Sequence, residues 1–177
     1  MENFTRQGFL RGVRAALAIT LGLSPFGLVV GVVSATKGLS LLEALVMSGL
    51  VFAGTAQLVA LELWRDPAPI LGAFLACLVI NLRMAPMGAA LAPALDRVRG
   101  WRLWGTLAWL VDNAFARMVT EMRAGRRDVA YLLGAGLAMW VNWMVMIVLG
   151  HSFGAALPLR PGHPIFFASV ATLMSIL

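Results

Sequence analysis

Charged residues in this chain fall in short clusters separated by long apolar runs. No residue between Arg14 and Lys37 is charged, a stretch long enough to span a membrane as a helix. A turn follows at Lys37-Gly38-Leu39-Ser40, where Ser40 is placed to cap a new helix and Glu43 to close a capping box. The second apolar run extends from Ala44 to Leu61 and ends at Glu62, with Trp64 at an interface position. Trp64-Arg65-Asp66-Pro67 makes a short loop, and Pro67 and Pro69 suit the first turn of the helix after it. From Pro67 to Leu95 only Arg83 is charged. As one helix those residues would measure about 43 Å, against a hydrocarbon core of about 30 Å. Asn81-Leu82-Arg83 stands at the centre with Pro86 after it, so two half-helices meeting there fit better than one rod.

A basic loop at 96–102 ends in Trp101, and Trp101 and Trp104 are placed like interface anchors. A fourth span, roughly Leu103 to Thr120, carries Asp112 and Asn113 at its middle and Arg117 one turn later. After a charged loop at 121–128, Val129 to Gly150 forms a fifth span with Asn142 as its one amide, edged by Tyr131, Trp140 and Trp143. His151 to His163 is a loop bearing Pro and Gly, with both histidines solvated. Pro164 to Leu177 begins a sixth apolar segment of about 21 Å, too short to cross. The expected fold is an all-α integral membrane protein with about five full transmembrane helices and a truncated C-terminal segment. Some helices are broken or kinked near the midplane, and residues 1–177 form a single transmembrane domain.

Composition agrees with lipid as the solvent. The chain is 60% hydrophobic and 12% charged, where soluble domains carry about 25% charged residues, and its mean hydropathy is +0.86. The net charge of +6 does not point to nucleic acid, because the arginines gather at run boundaries: Arg6, Arg11 and Arg14, then Arg97, Arg99 and Arg102, then Arg123, Arg126 and Arg127. The single cysteine, Cys77, lies in an apolar run and acts as a small packing residue. The first run is longer than a signal-peptide core and lacks a cleavage pattern, so it is a first transmembrane helix. Counting every run as a crossing puts the N-terminal arginines and the 121–128 loop together in the cytoplasm. The same count puts the 96–102 loop outside, against the positive-inside bias.

Each of the first four runs carries helix-weakening or hydrogen-bonding residues at similar depth. They are Ser24-Pro25-Phe26-Gly27, Ala53-Gly54-Thr55-Ala56-Gln57, Asn81 with Arg83, and Asp112-Asn113. Broken helices meeting at the midplane are how many secondary transporters build a substrate site. Simpler accounts exist for each. Pro25 can merely kink its helix, Gly27 and Gly31 form a GxxxG packing face, and Gln57 and Asn81 can be interhelical glue. Arg83 and Asp112 cost more, at least about 2.5–3.5 kcal/mol each at the bilayer centre, so they are kept for a structural ion pair or a solute path. An enzyme is not expected. No His-Glu-x-x-His helix is present, and Gly22-Leu23-Ser24 is followed by Pro25 where an intramembrane serine protease would need a flexible glycine. No metal site or cofactor is expected.

Phe52-Ala-Gly-Thr-Ala-Gln57, then Asn81-Leu-Arg83 with Gly88 after it, then Asp112-Asn-Ala-Phe115, resemble in order and spacing the signature of the AzlC family of bacterial branched-chain amino-acid permeases. The Ser24-Pro25-Phe26-Gly27 stretch is similar to the opening segment of that pattern. Met84 stands where the family has His, and Asn113 where it has Glu, so proton coupling at those two positions does not carry over. Family members are also longer at the C-terminus, and a chain lacking their last segment or segments matches the abrupt end at 177.

The resemblance implies export of branched-chain amino acids across the bacterial inner membrane, as the large subunit of a two-component permease with a small AzlD-type membrane partner. The substrate-binding residues it points to are Ser24, Pro25, Gly54, Thr55, Gln57, Asn81, Arg83, Asp112 and Asn113. A zwitterionic amino acid would offer its carboxylate to Arg83 or to half-helix N-termini and its ammonium to Asp112, in an alternating-access cycle. The competing class is a membrane scaffold whose mid-span polar residues grip a partner. An ion channel is weakened by the lack of an acidic ring or a carbonyl filter run.

Overall fold

A computed structural model describes residues 4–64, 70–96 and 98–156, which among them form helices and no strand. The helices are α1 (Arg6–Thr36), α2 (Leu41–Leu50), α3 (Gly54–Leu63), α4 (Ile70–Asn81), α5 (Met84–Ala90), α6 (Ala92–Leu95), α7 (Trp101–Leu107), α8 (Asp112–Arg123) and α9 (Ala130–Ala156). Three stretches among the described residues are long and apolar enough to cross a membrane: Arg6–Thr36, Ile70–Ala90 and Ala130–Ala156. The expected count of five full spans is therefore not what these helices give. The second and fourth apolar runs are each two short helices with a break between them.

Breaks occur where the polar motifs stand, with one exception. Between α2 and α3, Ala53 is extended (φ −146°, ψ 97°), and between α7 and α8 so is Val111 (φ −137°, ψ 161°). The third run breaks at Leu82-Arg83, as its length and central charge require. Pro25, which the sequence allows either to break its helix or merely to kink it, lies inside an unbroken α1. A proline removes one donor and frees one carbonyl, and packing neighbours let a membrane helix absorb that.

The chain divides into two compact units, one of Met1–Leu21 with Arg83–Val141 and the other of Gly22–Leu82 with Asn142–Leu177. In the first, α1 and α9 pack through glycines. A side chain on Gly12 would strike the Tyr131 carbonyl, and one on Gly134 the Phe9 carbonyl. Asp128 ties the two helix starts together. It accepts the backbone N–H groups of Thr5 and Ala130, each at 3.1 Å, and the Thr5 hydroxyl, while Thr5 Oγ1 in turn accepts the Gly8 N–H at 2.9 Å. One carboxylate thus caps α9 and holds the residue that caps α1. Gly125 (φ 76°) ends α8 in a left-handed turn, which lets Arg126 fold back onto Glu121 at 2.6 Å while Arg11 reaches the same carboxylate at 3.0 Å. The bonded Arg126 guanidinium holds Glu121 below the usual carboxylate range, against an opposing effect of burial.

The 96–102 loop was expected across the membrane from the N-terminus. Instead the Arg102 guanidinium lies 5.3 Å over the Phe4 ring, and Trp101 meets Phe4 edge-on at 6.4 Å. The fourth run, counted as one crossing, is two short helices, α7 and α8.

In the second unit, Gly27 and Gly31 form the expected packing face. A side chain on Gly27 would meet Met146 Cβ at 2.8 Å, and one on Gly31 the Ile147 carbonyl at 2.5 Å. The core gathers Val30, Val33, Leu39, Ala44, Leu58, Leu61, Trp143 and Ile147. Ser40 caps α2, and its capping box with Glu43 is formed as the spacing predicts. The Ser40 hydroxyl and then its backbone N–H, both bonded to Glu43, keep that carboxyl below the ordinary range. His151, expected in a solvated loop, belongs to α9, with Nε2 2.8 Å from the Leu39 carbonyl. Cys77 is half-buried, its Sγ 3.5 Å from the Ala56 carbonyl. The loop at 65–69, His163 and the segment at 164–177 lie outside the described residues.

Candidate functional site

In the first unit, two of the expected site residues meet. Arg83 sits in the turn that separates α4 from α5, and Asp112 is the first residue of α8, just after the extended Val111. Their side chains pair at 2.9 Å. Arg83 keeps helical dihedrals in that turn (φ −59°, ψ −21°), whereas the backbone before Asp112 is extended at Val111. The pair is open to approach, with side-chain exposures of 35% for Arg83 and 42% for Asp112. Asp112 Oδ1 itself is buried and accepts no hydrogen bond among the described residues. One carboxylate oxygen is therefore held by Arg83 while the other keeps its acceptor capacity. Asn113 follows on the exposed side of α8.

Beside this pair the backbone break at 108–111 is covered. A side chain on Gly136 would strike the Trp109 carbonyl, and the Trp109 and Trp140 rings pack edge-to-face with centroids 4.9 Å apart. A hollow of about 560 Å³ in the same unit is lined by Gly88, Leu95, Arg99, Leu103 and Leu107 among others, and includes neither Arg83 nor Asp112.

The second unit holds most of the other expected residues. Ser24 donates to Asn142 Oδ1 at 3.3 Å, which joins α1 to α9 beside Pro25. Gly54 and Thr55 open α3, whose cap residue Ala53 supplies no side-chain hydrogen bond. Gly54 is wedged against aromatic rings: a Cβ there would lie 2.5 Å from Phe26 Cε1 and 2.7 Å from Trp143 Cη2. Phe26 and Phe52 both meet Trp143 edge-on, at 5.5 and 6.4 Å. Gln57 is fully buried. Its Oε1 accepts from Ser48 Oγ at 3.2 Å and its Nε2 donates to the Val51 carbonyl. Both ends of Gln57 are thus spent on closing the break between α2 and α3, which makes it the brace of that turn. Asn81 is the last residue of α4 and half-buried.

Three residues enter that sequence reasoning assigned elsewhere or missed. Trp143, expected at a span edge, is 4% exposed and central to the aromatic cluster. Ser48 has no motif to mark it. Asn142 stood out as an amide in an apolar run, but nothing in its spacing pointed to Ser24.

The profile of the AzlC protein family matches residues 18–157, which covers all of these positions. The inner membrane protein YgaZ of Escherichia coli (strain K12) is 23% identical over 174 residues, spanning 96% of this chain and 69% of that protein. An uncharacterized membrane protein of Archaeoglobus fulgidus is 28% identical over 171 residues, spanning 96% of this chain and 74% of the relative. A Helicobacter pylori membrane protein, also uncharacterized, is 25% identical over 142 residues, 78% of this chain and 61% of its own. No solved structure matches the chain.

Proposed function

This chain belongs to the AzlC family of membrane proteins, and from that premise we propose that it exports branched-chain amino acids, as the large subunit of a two-component permease. The observation that carries the reading is the Arg83–Asp112 pair, set at two helix breaks and open to approach. A zwitterion bears the same two charges as the pair, in reverse order. Its carboxylate can replace Asp112 on the guanidinium while its ammonium takes the carboxylate so released, so entry of the solute exchanges one ion pair for two. A single charge would leave one partner uncompensated, which is costly away from water. Neutral zwitterions are therefore favoured over simple cations or anions.

A small hydrophobic membrane subunit is the proposed partner. The stretch Ile70–Ala90 offers it a face: Ile70, Leu71, Phe74 and Val79 are between 60% and 75% exposed. The test is counterflow in reconstituted vesicles, with and without a co-expressed small membrane subunit of the AzlD type. Labelled leucine or valine is expected to accumulate against unlabelled leucine, and neither lysine nor glutamate to compete. Counterflow unchanged in both Arg83→Ala and Asp112→Asn would overturn the site.

A further inference from the structure

The two ends of the α7–α8 segment return to one end of α1. Where α7 begins, Trp101 packs edge-on against Phe4 and Arg102 lies over the same ring. Where α8 finishes, Glu121 bonds Arg11 at 3.0 Å, and Asp128 just beyond it accepts the Thr5 N–H at 3.1 Å. Phe4 and Thr5 precede α1, and Arg11 lies in its second turn. Between these ends the chain reaches Trp109, which packs on Gly136 and Trp140 of α9. Those two residues lie about 12–18 Å along the helix from Asp128, roughly half the depth of a hydrocarbon core of about 30 Å.

Length gives the same answer. The seven residues of α7 measure about 10 Å and the twelve of α8 about 18 Å. With residues 108–111 between them the two reach half-depth and return, and neither helix alone is enough to cross.

We propose that α7–α8 is a re-entrant hairpin, entering and leaving the membrane on the side where α1 begins, with Asp112 at its tip. Three consequences support it. Arg99 and Arg102 then share a side with Arg6, Arg11, Arg14, Arg123, Arg126 and Arg127, so every basic cluster obeys the positive-inside bias that straight crossings violate. Non-helical backbone at membrane depth must be covered by protein, and here Gly136 and Trp140 cover it while Leu110 is 8% exposed. Among the described residues, the stretches long enough to make the remaining crossings are Arg6–Thr36, Ile70–Ala90 and Ala130–Ala156.

Within its own unit α2–α3 has the same form. It leaves the turn where α1 ends, meets Phe26 and Trp143 at Gly54, and is folded back by the Ser48–Gln57 bond. A straight continuation would separate residues 48 and 57 by about 13 Å, out of side-chain reach.

Single cysteines test the assignment in a Cys77→Ala background with an impermeant maleimide, in right-side-out and inverted vesicles. Trp101→Cys and Ala124→Cys are expected to label from one side and Thr36→Cys from the other, with at least a tenfold difference between orientations. Labelling of position 101 from the side that labels position 36 overturns the hairpin. The double variant Phe4→Cys with Trp101→Cys supplies an independent readout: a short bifunctional maleimide should join the two within one chain. If both cysteines react in detergent but no cross-link forms in the membrane, the hairpin is again refuted.

Discussion

Arg83 and Asp112 come from different apolar runs, yet their side chains meet at 2.9 Å, each at a point where a helix stops or starts. The sequence marks both as costly in lipid. The structure adds that Arg83 lies in the turn between α4 and α5 and Asp112 at the first position of α8.

Removing one charge leaves the other uncompensated. Asp112→Asn and Arg83→Ala are each expected to lower the initial rate of leucine counterflow at least tenfold. Because both side chains are more than a third exposed, the stability loss should be only about 1–2 kcal/mol, below the 3–5 kcal/mol of a fully buried pair. Arg83→Lys should keep the fold and recover part of the transport. Thermal unfolding in detergent, run beside the flux assay, separates the two effects.

Gly54 has no room for a side chain. Gly54→Ala must displace the Phe26 or Trp143 ring and should cost about 1–3 kcal/mol, whereas Gly88→Ala, with nothing within 4 Å, should be near neutral. Melting temperatures of the two variants check this.

Gln57 serves the turn it follows. Gln57→Leu strands the Val51 carbonyl and the Ser48 hydroxyl, and should destabilise by about 1–3 kcal/mol. Adding Ser48→Ala should then cost less than it does alone, since the two share one bond. A double-mutant cycle on unfolding measures that coupling.

The Glu121 cluster predicts a pH dependence with a definite sign. Glu121 is depressed in the folded chain, so its contribution is complete above the unfolded value of about 4.3 and fades as pH falls through the folded one. Wild type should melt higher than Glu121→Gln at pH 6, and the gap should close progressively below about pH 4.5. A gap that widened on acidification would contradict the pairing with Arg126.

Much of this arrangement was legible in the chain. The break at Asn81–Arg83 follows from a charge at the centre of a run too long for one span, and the Ser40 cap from spacing alone. Pro25 leaves break and kink both open, because a proline's cost depends on neighbours that a single sequence does not show. The breaks at Val51–Ala53 and Leu110–Val111 carry no glycine or proline at the extended residue, so only the motifs beside them hint at a site. Hydropathy also has no direction. A run of eighteen residues looks alike whether it crosses or turns back, so the side of the 96–102 loop is not legible in it. Contacts such as Ser24–Asn142 join distant runs and leave no local trace.

Asp128 sets an order of events during synthesis. Thr5 leaves the ribosome 123 residues ahead of the carboxylate that holds it, a delay of roughly 6–25 s at about 5–20 residues per second. Through that interval α1 must rest in the bilayer on its apolar surface alone, its first turn uncapped by any later residue. The glycine seams that pack α1 against α9 also stay open to lipid until α9 arrives. Closure of the bundle is thus a late step, and a nascent chain stopped before residue 128 should still be inserted but not yet joined.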